Sequence, residues 1–336
     1  MVRCQDIADM VGVSRQAVSA VLNGRGNSAV SSEKRERILA LARQLNYRPN
    51  RLAQTLASGC SRVIGFCAGN VREMLRSPVY PGFVDFVVTE LAARGYELSL
   101  LAISKQESGK LLEVIRSGQV DGVICHAKML DLELVAPEDR RRIVTFANTT
   151  APEDTVTDFR INGKEAVIEL AEHLYAQGFR KIAYIGSPNL RAEQHREIFE
   201  AGGIPFAPEL FFTEGDYRND PGDALAAFEV VHYHWDKLKK CDAIVFNNDC
   251  YARGGCSALR LHGVEPGVDI AVSGHDALHE LPEDFLTTSA APYDRLARLC
   301  AERICQQITE NVPAFSPIRI PNRLIIRKST GFVKNI

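Results

Sequence analysis

From Arg62 onward, this chain alternates short apolar runs with longer amphipathic stretches, and this pattern constrains its fold most. Such alternation is typical of strand–helix units, which assemble into parallel sheets covered by helices on both faces. The predicted strands are Val63–Phe66, Glu97–Ile103, Val120–Ile124, Arg142–Phe146, Lys181–Gly186, Cys241–Phe246 and Ile270–Val272. The predicted helices lie near 82–94, 107–117, 162–177 and 250–262, and another begins near Arg191. Roughly 275 residues exceed the needs of one such sheet, so two lobes are predicted, with a ligand cleft beyond the carboxyl ends of the strands.

The charges separate a basic head from an acidic body in a chain of 336 residues with a net charge of −2. Residues 1–62 carry a net charge of +6, and the remainder carries −8. A basic head predicts an anionic polymer as partner, although a solvated helical surface would carry the same charge. The 46% hydrophobic and 24% charged residues are typical of a soluble globular protein. No apolar run is long enough to span a membrane and no apolar signal core follows Met1, so the expected location is the cytoplasm, at the nucleoid.

Cysteine and histidine spacing indicates no metal chemistry. Nine cysteines are scattered without a C-x-x-C pair, which is typical of reduced thiols rather than a disulfide framework. Phosphate-loop, dinucleotide-binding, nucleophile-elbow and zinc-protease motifs are absent from the sequence. A binding protein is therefore favoured over an enzyme, and no cofactor, metal site or catalytic residue is predicted.

The head is predicted to contain two short helices between Gln5 and Asn23. Gly12 can adopt the positive φ that a sharp turn needs, and Ser14 can cap the helix that follows. At 100° per residue this second helix has one polar arc and one apolar arc. Arg15 opens the polar arc, and Arg and Gln side chains suit guanine and adenine edges, so a helix-turn-helix that reads the major groove is predicted. A three-helix interaction module that never contacts DNA is the alternative.

A third helix is predicted to begin at Ser31 or Ser32 and to end before Pro49, which disfavours helical backbone in the residue preceding it. Its apolar stripe is Ile38, Leu41, Ala42 and Leu45. The next segment, 50–59, also has an apolar stripe, but it is too short to hold a helix alone in water. DNA, a partner copy or both must therefore order this segment, unless it is a linker.

The head carries a specific set of residues: Asp6-Ile7-Ala8, Gly12-Val13-Ser14, Val18-Ser19, Val21-Leu22-Asn23, Tyr47-Arg48-Pro49-Asn50, Ala53 and Leu56. This set resembles the lactose-repressor (LacI/GalR) family of bacterial transcription regulators. The resemblance implies a dimer on a pseudo-palindromic operator, with hinge helices that fold on DNA and insert Leu56 into the minor groove. It also implies these DNA-binding residues: Arg3, Cys4, Gln5, Ser14, Arg15, Gln16, Ser19, Ala20, Asn23, Tyr47, Asn50, Ala53, Leu56 and Ala57. Ala20 departs from the family pattern, since many members carry arginine there.

The body resembles the same family along nearly its full length. The matching segments are Val120-Asp121-Gly122-Val123-Ile124, Asn247-Asn248-Asp249, Val272-Ser273-Gly274-His275-Asp276, Leu286-Thr287-Thr288 and Leu324-Ile325-Ile326-Arg327-Lys328-Ser329-Thr330. The resemblance implies a small all-α helix-turn-helix headpiece plus an α/β two-lobed, periplasmic-binding-protein-like core with parallel sheets. The implied divisions are a headpiece at 1–49, a hinge helix or linker at 50–60, and a core at 61–336. Lobe 1 is expected at about 61–160 and 291–320, and lobe 2 at about 161–290 and 321–336.

Carried over position by position, the resemblance implies an effector pocket of Val79, Tyr80, His126, Asn148, Arg191, Tyr217, Asn248 and Asp276. His126 and Tyr217 could equally be core residues, and Asp249 is predicted to cap the helix that follows it. Two departures argue against any well-known sugar as effector. His275 replaces the aromatic residue usual before the aspartate, and Gln194-His195 replaces a glycine–aromatic step.

These observations predict a sequence-specific DNA-binding transcription regulator, a repressor that binds operator DNA as a homodimer. A small-molecule effector in the interlobe cleft, a sugar or a sugar derivative, is expected to modulate it. One alternative is a constitutive or protein-coregulated family member without an effector. Another is an enzyme or scavenging binder whose head only tethers it.

Overall fold

The computed structural model describes residues 2–22, 30–47, 55, 59–77, 79–147, 156–188, 190–202, 208–213, 224–278, 282, 284–310, 312–313 and 318–331. The chain divides into two compact units, Met1–Arg62 and Val63–Ile336. All nine cysteines are free thiols. Among the described helices, none combines the length and the apolar content that crossing a bilayer requires.

Three helices form the described part of the first unit: α1 (Cys4–Val11), α2 (Arg15–Leu22) and α3 (Ser32–Gln44). Their inner faces share one apolar core of Ile7, Ala8, Val11, Val18, Val21, Ile38 and Ala42. Helix α1 ends because Gly12 adopts a φ of 69°, and the Gly12 N–H donates to Ala8 O at 2.9 Å. The predicted cap of α2 is confirmed, because Ser14 Oγ accepts from the Ala17 N–H at 3.1 Å.

The end of α3 has a different cause from the predicted one. The helix stops at Gln44, and Asn46 adopts a φ of 48°. The Tyr47 N–H then donates to Ala42 O at 2.8 Å. This left-handed helix end is one that asparagine tolerates well, so Asn46 rather than Pro49 terminates α3.

A six-stranded sheet forms one half of the second unit. Its strands are β1 (Val63–Cys67), β2 (Glu97–Leu100), β3 (Gly122–His126), β4 (Ile143–Ala147), β5 (Thr157–Asn162) and β11 (Ile318–Pro321). They pair in parallel in the order β11-β5-β4-β3-β1-β2. The helices packed on this sheet are α4 (Val71–Arg76), α5 (Tyr80–Ala92), α6 (Ser108–Arg116) and α12 (Tyr293–Thr309). Together these elements are called the first lobe.

A four-stranded parallel sheet forms the other half. Its strands are β6 (Ile182–Ile185), β7 (Phe211–Phe212), β8 (Ala243–Phe246) and β9 (Ala271–Ser273), in the order β7-β6-β8-β9. Helices α7 (Gly163–Ala176) and α8 (Leu190–Ala201) cover one face. Helices α9 (Ala224–Tyr233), α10 (Trp235–Leu238) and α11 (Asp249–Leu261) cover the other. These elements are called the second lobe, and the two parallel sheets confirm the predicted fold class.

Two strand predictions need correction. The strand predicted over Glu97–Ile103 ends at Leu100, because the chain turns where the Ile103 N–H donates back to Leu101 O at 3.1 Å. The strand predicted over 120–124 is displaced to Gly122–His126, since pairing with β1 begins only at Gly122. This displacement carries the strand end to His126.

Three connectors join the lobes: residues 160–163, 288–291 and 320–323. The second includes β10 (Thr288–Ala290), which pairs antiparallel with β12 (Arg323–Ile325). Asn322 is buried where the third connector leaves β11. Its N–H donates to Asn162 O at 3.4 Å, and its Nδ2 donates to Ser289 Oγ at 3.3 Å. One asparagine side chain and its backbone therefore hydrogen-bond to both other connectors.

Candidate functional site

The second helix of the head presents the predicted base-reading residues to solvent. Arg15 and Gln16 are exposed in the first turn of α2, while Val18 and Val21 are buried on its opposite side. Of the other predicted DNA-binding residues, Arg3, Gln5 and Ser14 are exposed, and Cys4, Ser19, Ala20 and Tyr47 are half-buried. The predictions for Asn23, Asn50, Ala53, Leu56 and Ala57 lie outside the described residues. A first turn with exposed Arg and Gln has the geometry of a helix that enters the major groove.

Three of these residues come from separate parts of the head and meet. Cys4 Sγ donates to Arg15 O at 3.6 Å, and Cys4 and Tyr47 both pack against the core of the head. Burial and the neighbouring Cys4 raise the pKa of Tyr47, so its hydroxyl stays protonated at neutral pH. A protonated phenol is a donor suited to a phosphate oxygen.

In the second lobe, Arg191 and Asp276 form a bidentate ion pair across 85 residues of chain. Arg191 Nη2 donates to Asp276 Oδ1 at 2.8 Å, and Nη1 donates to Asp276 Oδ2 at 3.2 Å. The same Nη1 donates to Asn247 O at 2.6 Å. Burial alone would lower the pKa of Arg191, but the Asp276 carboxylate raises it overall, so the guanidinium stays charged. This pair is called the clamp; the family resemblance implied both residues for the effector pocket, but the ion pair between them was not predicted.

The backbone that carries Asp276 is strained. Asp276 and Ala277 adopt φ values of 87° and 49°, a left-handed region that costs a residue other than glycine about 1–3 kcal/mol. Hydrogen bonds hold this segment: the Asp276 N–H donates to Ser289 O at 2.9 Å, and the Ala277 N–H donates to Thr288 Oγ1 at 3.2 Å. Strain that is held in place this firmly is typical of functional sites.

The prediction that Asp249 caps helix α11 is wrong. Asn248 is the cap, because its Oδ1 accepts from the Tyr251 N–H at 2.9 Å. Asp249 instead accepts from the Leu278 N–H and from Thr288 Oγ1, both at 2.7 Å. It thereby holds the strained segment, and burial raises its pKa to about 8.

The first lobe contributes an aromatic group instead of charges. The Phe146 ring lies 4.8 Å from Phe83, 6.3 Å from Tyr80 and 5.6 Å from His126, centroid to centroid. Burial lowers the pKa of His126 to about 4, so its ring is neutral at pH 7. The predicted wall residue Val79 immediately precedes α5 and is half-buried. The predictions for Asn148 and Tyr217 lie outside the described residues.

Tyr293 is a site residue that the sequence analysis did not predict. It begins α12 in the first lobe, and its ring lies 6.3 Å from Phe83. Its hydroxyl donates to Asp276 Oδ1 at 3.4 Å, so it connects the aromatic group with the clamp. A tyrosine directly after Pro292 at a helix start was the available signal, since that position faces the preceding strand end.

Charge balances across this site. The clamp pairs one positive with one negative group, and His126 and Asp249 are held largely neutral by burial. The arrangement therefore offers hydrogen-bond donors and acceptors beside aromatic faces without an excess charge.

Comparisons with known proteins agree with this architecture. Residues 4–50 match the model of the bacterial regulatory proteins of the lacI family, and residues 171–330 match that of the periplasmic binding protein-like domain. The chain is 27% identical over 343 residues to the HTH-type transcriptional regulator CelR of Thermobifida fusca, covering 96% of each chain. It is 27% identical over 347 residues to the HTH-type transcriptional repressor PurR of Haemophilus influenzae, covering 98% of each.

A solved structure shows the same fold. The Lac repressor dimer bound to operator and the anti-inducer ONPF superposes with a TM-score of 0.75 at 22% identity, covering 98% of this chain and 99% of that one. Both matched domains, their order and the full-length relatives agree with the head and core described above. The chain therefore combines a lacI-type helix-turn-helix domain with a periplasmic binding protein-like domain, and the full-length relatives that it resembles are transcription regulators.

Proposed function

We propose that this protein is a homodimeric repressor that binds a pseudo-palindromic operator and responds to a neutral carbohydrate held between its lobes. In this proposal residues 1–49 read DNA, residues 50–60 form the hinge helix, and residues 61–336 bind the effector and the second subunit. Leu56 of the hinge wedges into the minor groove at the centre of the operator.

Exposure of Arg15 and Gln16 at the start of α2 supports the DNA-binding part. Their side chains can form bidentate contacts with guanine and adenine, which carry sequence information that phosphate contacts lack. The head's net charge of +6 adds affinity for any DNA sequence.

The clamp is the observation that carries the effector part. Because Asp276 already neutralises Arg191, an anionic ligand would gain no excess positive charge, whereas hydroxyl groups can both donate to Asp276 and accept from Arg191. The aromatic group of the first lobe suits the apolar face of a sugar ring. The structure of a CelR–cellobiose complex shares the fold, with a TM-score of 0.66 at 24% identity.

Effector binding changes lobe closure in this proposal, and the paired hinge helices transmit the change to the operator. The coupling between the two sites is expected to be about 1–3 kcal/mol, the usual range for allosteric proteins. Identical small-angle scattering curves with and without a binding sugar would contradict this mechanism.

The first experiment is selection of random duplex DNA by the purified protein, followed by sequencing. We expect enrichment of a pseudo-palindrome with a flexible pyrimidine–purine step at its centre, where the Leu56 wedges meet. Recovery of unrelated sequences, with and without pooled metabolites, would contradict sequence-specific binding.

The second experiment separates base reading from charge. Arg15→Ala and Gln16→Ala should each relax base preference by about 1–3 kcal/mol. Arg43→Ala is the matched control, because Arg43 is an equally exposed basic residue on α3. It should leave base preference unchanged, and equal losses on operator and random DNA for all three variants would mean that α2 contacts phosphates only.

The third experiment is a thermal-shift screen of neutral mono- and disaccharides against the corresponding sugar acids. We expect a neutral sugar to raise the melting temperature, and Asp276→Ala to lose this shift while it retains operator binding. Stabilisation by sugar acids alone would overturn the charge argument. A complete lack of hits would favour the alternative of a constitutive or protein-coregulated regulator.

A further inference from the structure

Behind the clamp, two buried histidines contact each other. They stand at two of the positions where the sequence departs from the family pattern, His195 on α8 and His275 beside Asp276. Their Nε2 atoms lie 3.1 Å apart, and their rings meet at 81° with centroids 5.0 Å apart. Both residues are at most 2% exposed.

Hydrogen bonding on either side determines the direction of this contact. His195 Nδ1 lies 2.7 Å from Arg191 O, and since a carbonyl can only accept, Nδ1 must carry the proton. A neutral His195 then has only an acceptor at Nε2, so His275 Nε2–H must donate to it. His275 Nδ1 is consequently an acceptor, and it receives the Ser289 hydroxyl proton at 2.6 Å.

The chain of hydrogen bonds continues into the connectors. Ser289 Oγ accepts from Asn322 Nδ2 at 3.3 Å, and the Asn322 N–H donates to Asn162 O at 3.4 Å. From the Asn322 side chain to His195, every donor therefore points the same way, towards the backbone carbonyl of Arg191. Every described nitrogen and oxygen along this path is satisfied only when both imidazoles are neutral.

We propose that His195 and His275 are positioning residues that tie the clamp to the three interlobe connectors through Ser289 and Asn322. This inference rests on the proposed effector site, because it assigns the path by which the position of Arg191 and the angle between the lobes become coupled. Burial, which lowers the pKa of His195 to about 3 and that of His275 well below its usual value, keeps both rings neutral at physiological pH.

The path also explains why these two departures occur together. A phenylalanine at 275 would leave the Ser289 hydroxyl proton without its acceptor and His195 Nε2 without its donor, at a cost of about 1–3 kcal/mol for each buried group. Each neutral histidine ring supplies one donor nitrogen and one acceptor nitrogen. Each residue is therefore required by the other.

The first test is imidazole nitrogen NMR of the full chain, which has eight histidines that single variants can assign. We expect His195 as the Nδ1–H tautomer and His275 as the Nε2–H tautomer. A charged ring, or the reverse tautomers, would overturn the directed chain.

The second test is hydrogen exchange by mass spectrometry on the full chain without ligand or DNA. His195→Leu and His275→Leu should each accelerate backbone exchange in the connectors roughly tenfold, the equivalent of one lost hydrogen bond. His195→Gln should restore most of the protection, because its side-chain carbonyl can accept from His275 Nε2–H. This variant also keeps the test valid if the leucine variants fold poorly.

The matched control is His173→Leu. His173 also forms one histidine hydrogen bond in the second lobe, with Thr330 Oγ1 at 2.8 Å, but it has no place in the path. Acceleration confined to α8 and residues 275–278, or equal acceleration by His173→Leu, would overturn the proposal. Neither test uses an effector or an operator, so a negative result leaves the proposed function intact, and a failed effector screen leaves these results intact.

Discussion

The Arg160–Asp158 pair of the first lobe and the Arg191–Asp276 pair of the second are both Arg–Asp ion pairs, and they differ in almost everything except their chemistry. In the first lobe, Arg160 Nε donates to Asp158 Oδ2 at 2.6 Å, and both residues lie on one face of strand β5. In the second lobe, Arg191 and Asp276 come from a helix and a loop 85 residues apart.

Their surroundings differ as well. The side chains of Arg160 and Asp158 are 9% and 3% exposed, and Thr145 Oγ1 also donates to Asp158, at 2.8 Å. The side chain of Arg191 is 22% exposed, and Asp276 sits on left-handed backbone. The comparison indicates that a local, enclosed pair stabilises a sheet, whereas a distant, partly open pair at strand ends is available to a ligand.

The largest expected effect comes from removing one partner of each pair. Asp158→Ala and Asp276→Ala should each lower the free energy of unfolding by about 3–5 kcal/mol, with the smaller loss at Asp276 because Arg191 can still reach water. Urea denaturation measures both. Only Asp276→Ala should also remove stabilisation by the sugar found in the thermal-shift screen. If Asp158→Ala removed it equally, the distinction between the two pairs would fail.

Asp249→Asn tests how the clamp segment is held. Because the folded pKa of Asp249 is raised to about 8, the folded protein holds its proton where the unfolded chain has lost it. Stability should therefore fall as pH rises from about 4 to about 8, by at most about 1.4 kcal/mol per pH unit for one proton. Asparagine resembles the protonated acid but does not titrate, so the variant should lack this part of the change in unfolding free energy with pH. Urea midpoints that stay unchanged across pH 5–8 in both proteins would contradict the raised pKa of Asp249.

His126→Phe tests the opposite sign in the first lobe. The pKa of His126 in the folded protein is lowered to about 4. The neutral ring therefore contributes to the free energy of unfolding above the unfolded pKa of about 6.5, and this contribution is lost as pH falls towards 4. Phenylalanine keeps the contact with Phe146 but cannot titrate. We expect a smaller loss of stability between pH 6.5 and 4.5 than in the parent protein, measured by thermal unfolding, and an identical loss would argue against the neutral ring.

Tyr293→Phe should have the smallest effect. It removes a hydrogen bond of 3.4 Å to Asp276 but keeps the ring against Phe83, so we expect a loss of about 0.5–1 kcal/mol in unfolding free energy. A double-mutant cycle with Asp276→Ala should show that the two substitutions are not additive. Full additivity would mean that the first lobe does not contact the clamp through this hydroxyl.

Sequence patterns predicted many of the helices and strands because these depend on local periodicity. The helix-turn-helix follows from Gly12, Ser14 and the two faces of α2, and the parallel sheets follow from strand–helix alternation. Helix α9 was not predicted, because its packing depends on Gly254 of a distant helix: a Cβ there would lie 1.7 Å from Ala224 O. Gly254 and Gly255 look unfavourable for a helix in the sequence. The fold explains them, because Ala224 O lies against Gly254 and the Phe246 ring lies against Gly255.

Within the candidate site, the resemblance to a family pattern pointed to Arg191 and Asp276, and its place after a strand also pointed to Asp276. It did not indicate Tyr293, and it treated His195 and His275 as two unrelated departures. These residues are 80 positions apart, and nothing in either local context predicts a hydrogen bond between them.

What the sequence determined by itself is the strand–helix alternation of the body, the helix-turn-helix pattern and the basic charge of the head, because periodicity and charge are local properties; Arg191 and Asp276 were singled out through the family resemblance. The tertiary structure decided which buried polar groups satisfy one another. Hydrogen-bond direction, tautomers and burial depend on atoms brought together from distant segments, and so the histidine pair, the Asn322 link between connectors and the role of Asp249 could be assigned only in the folded chain.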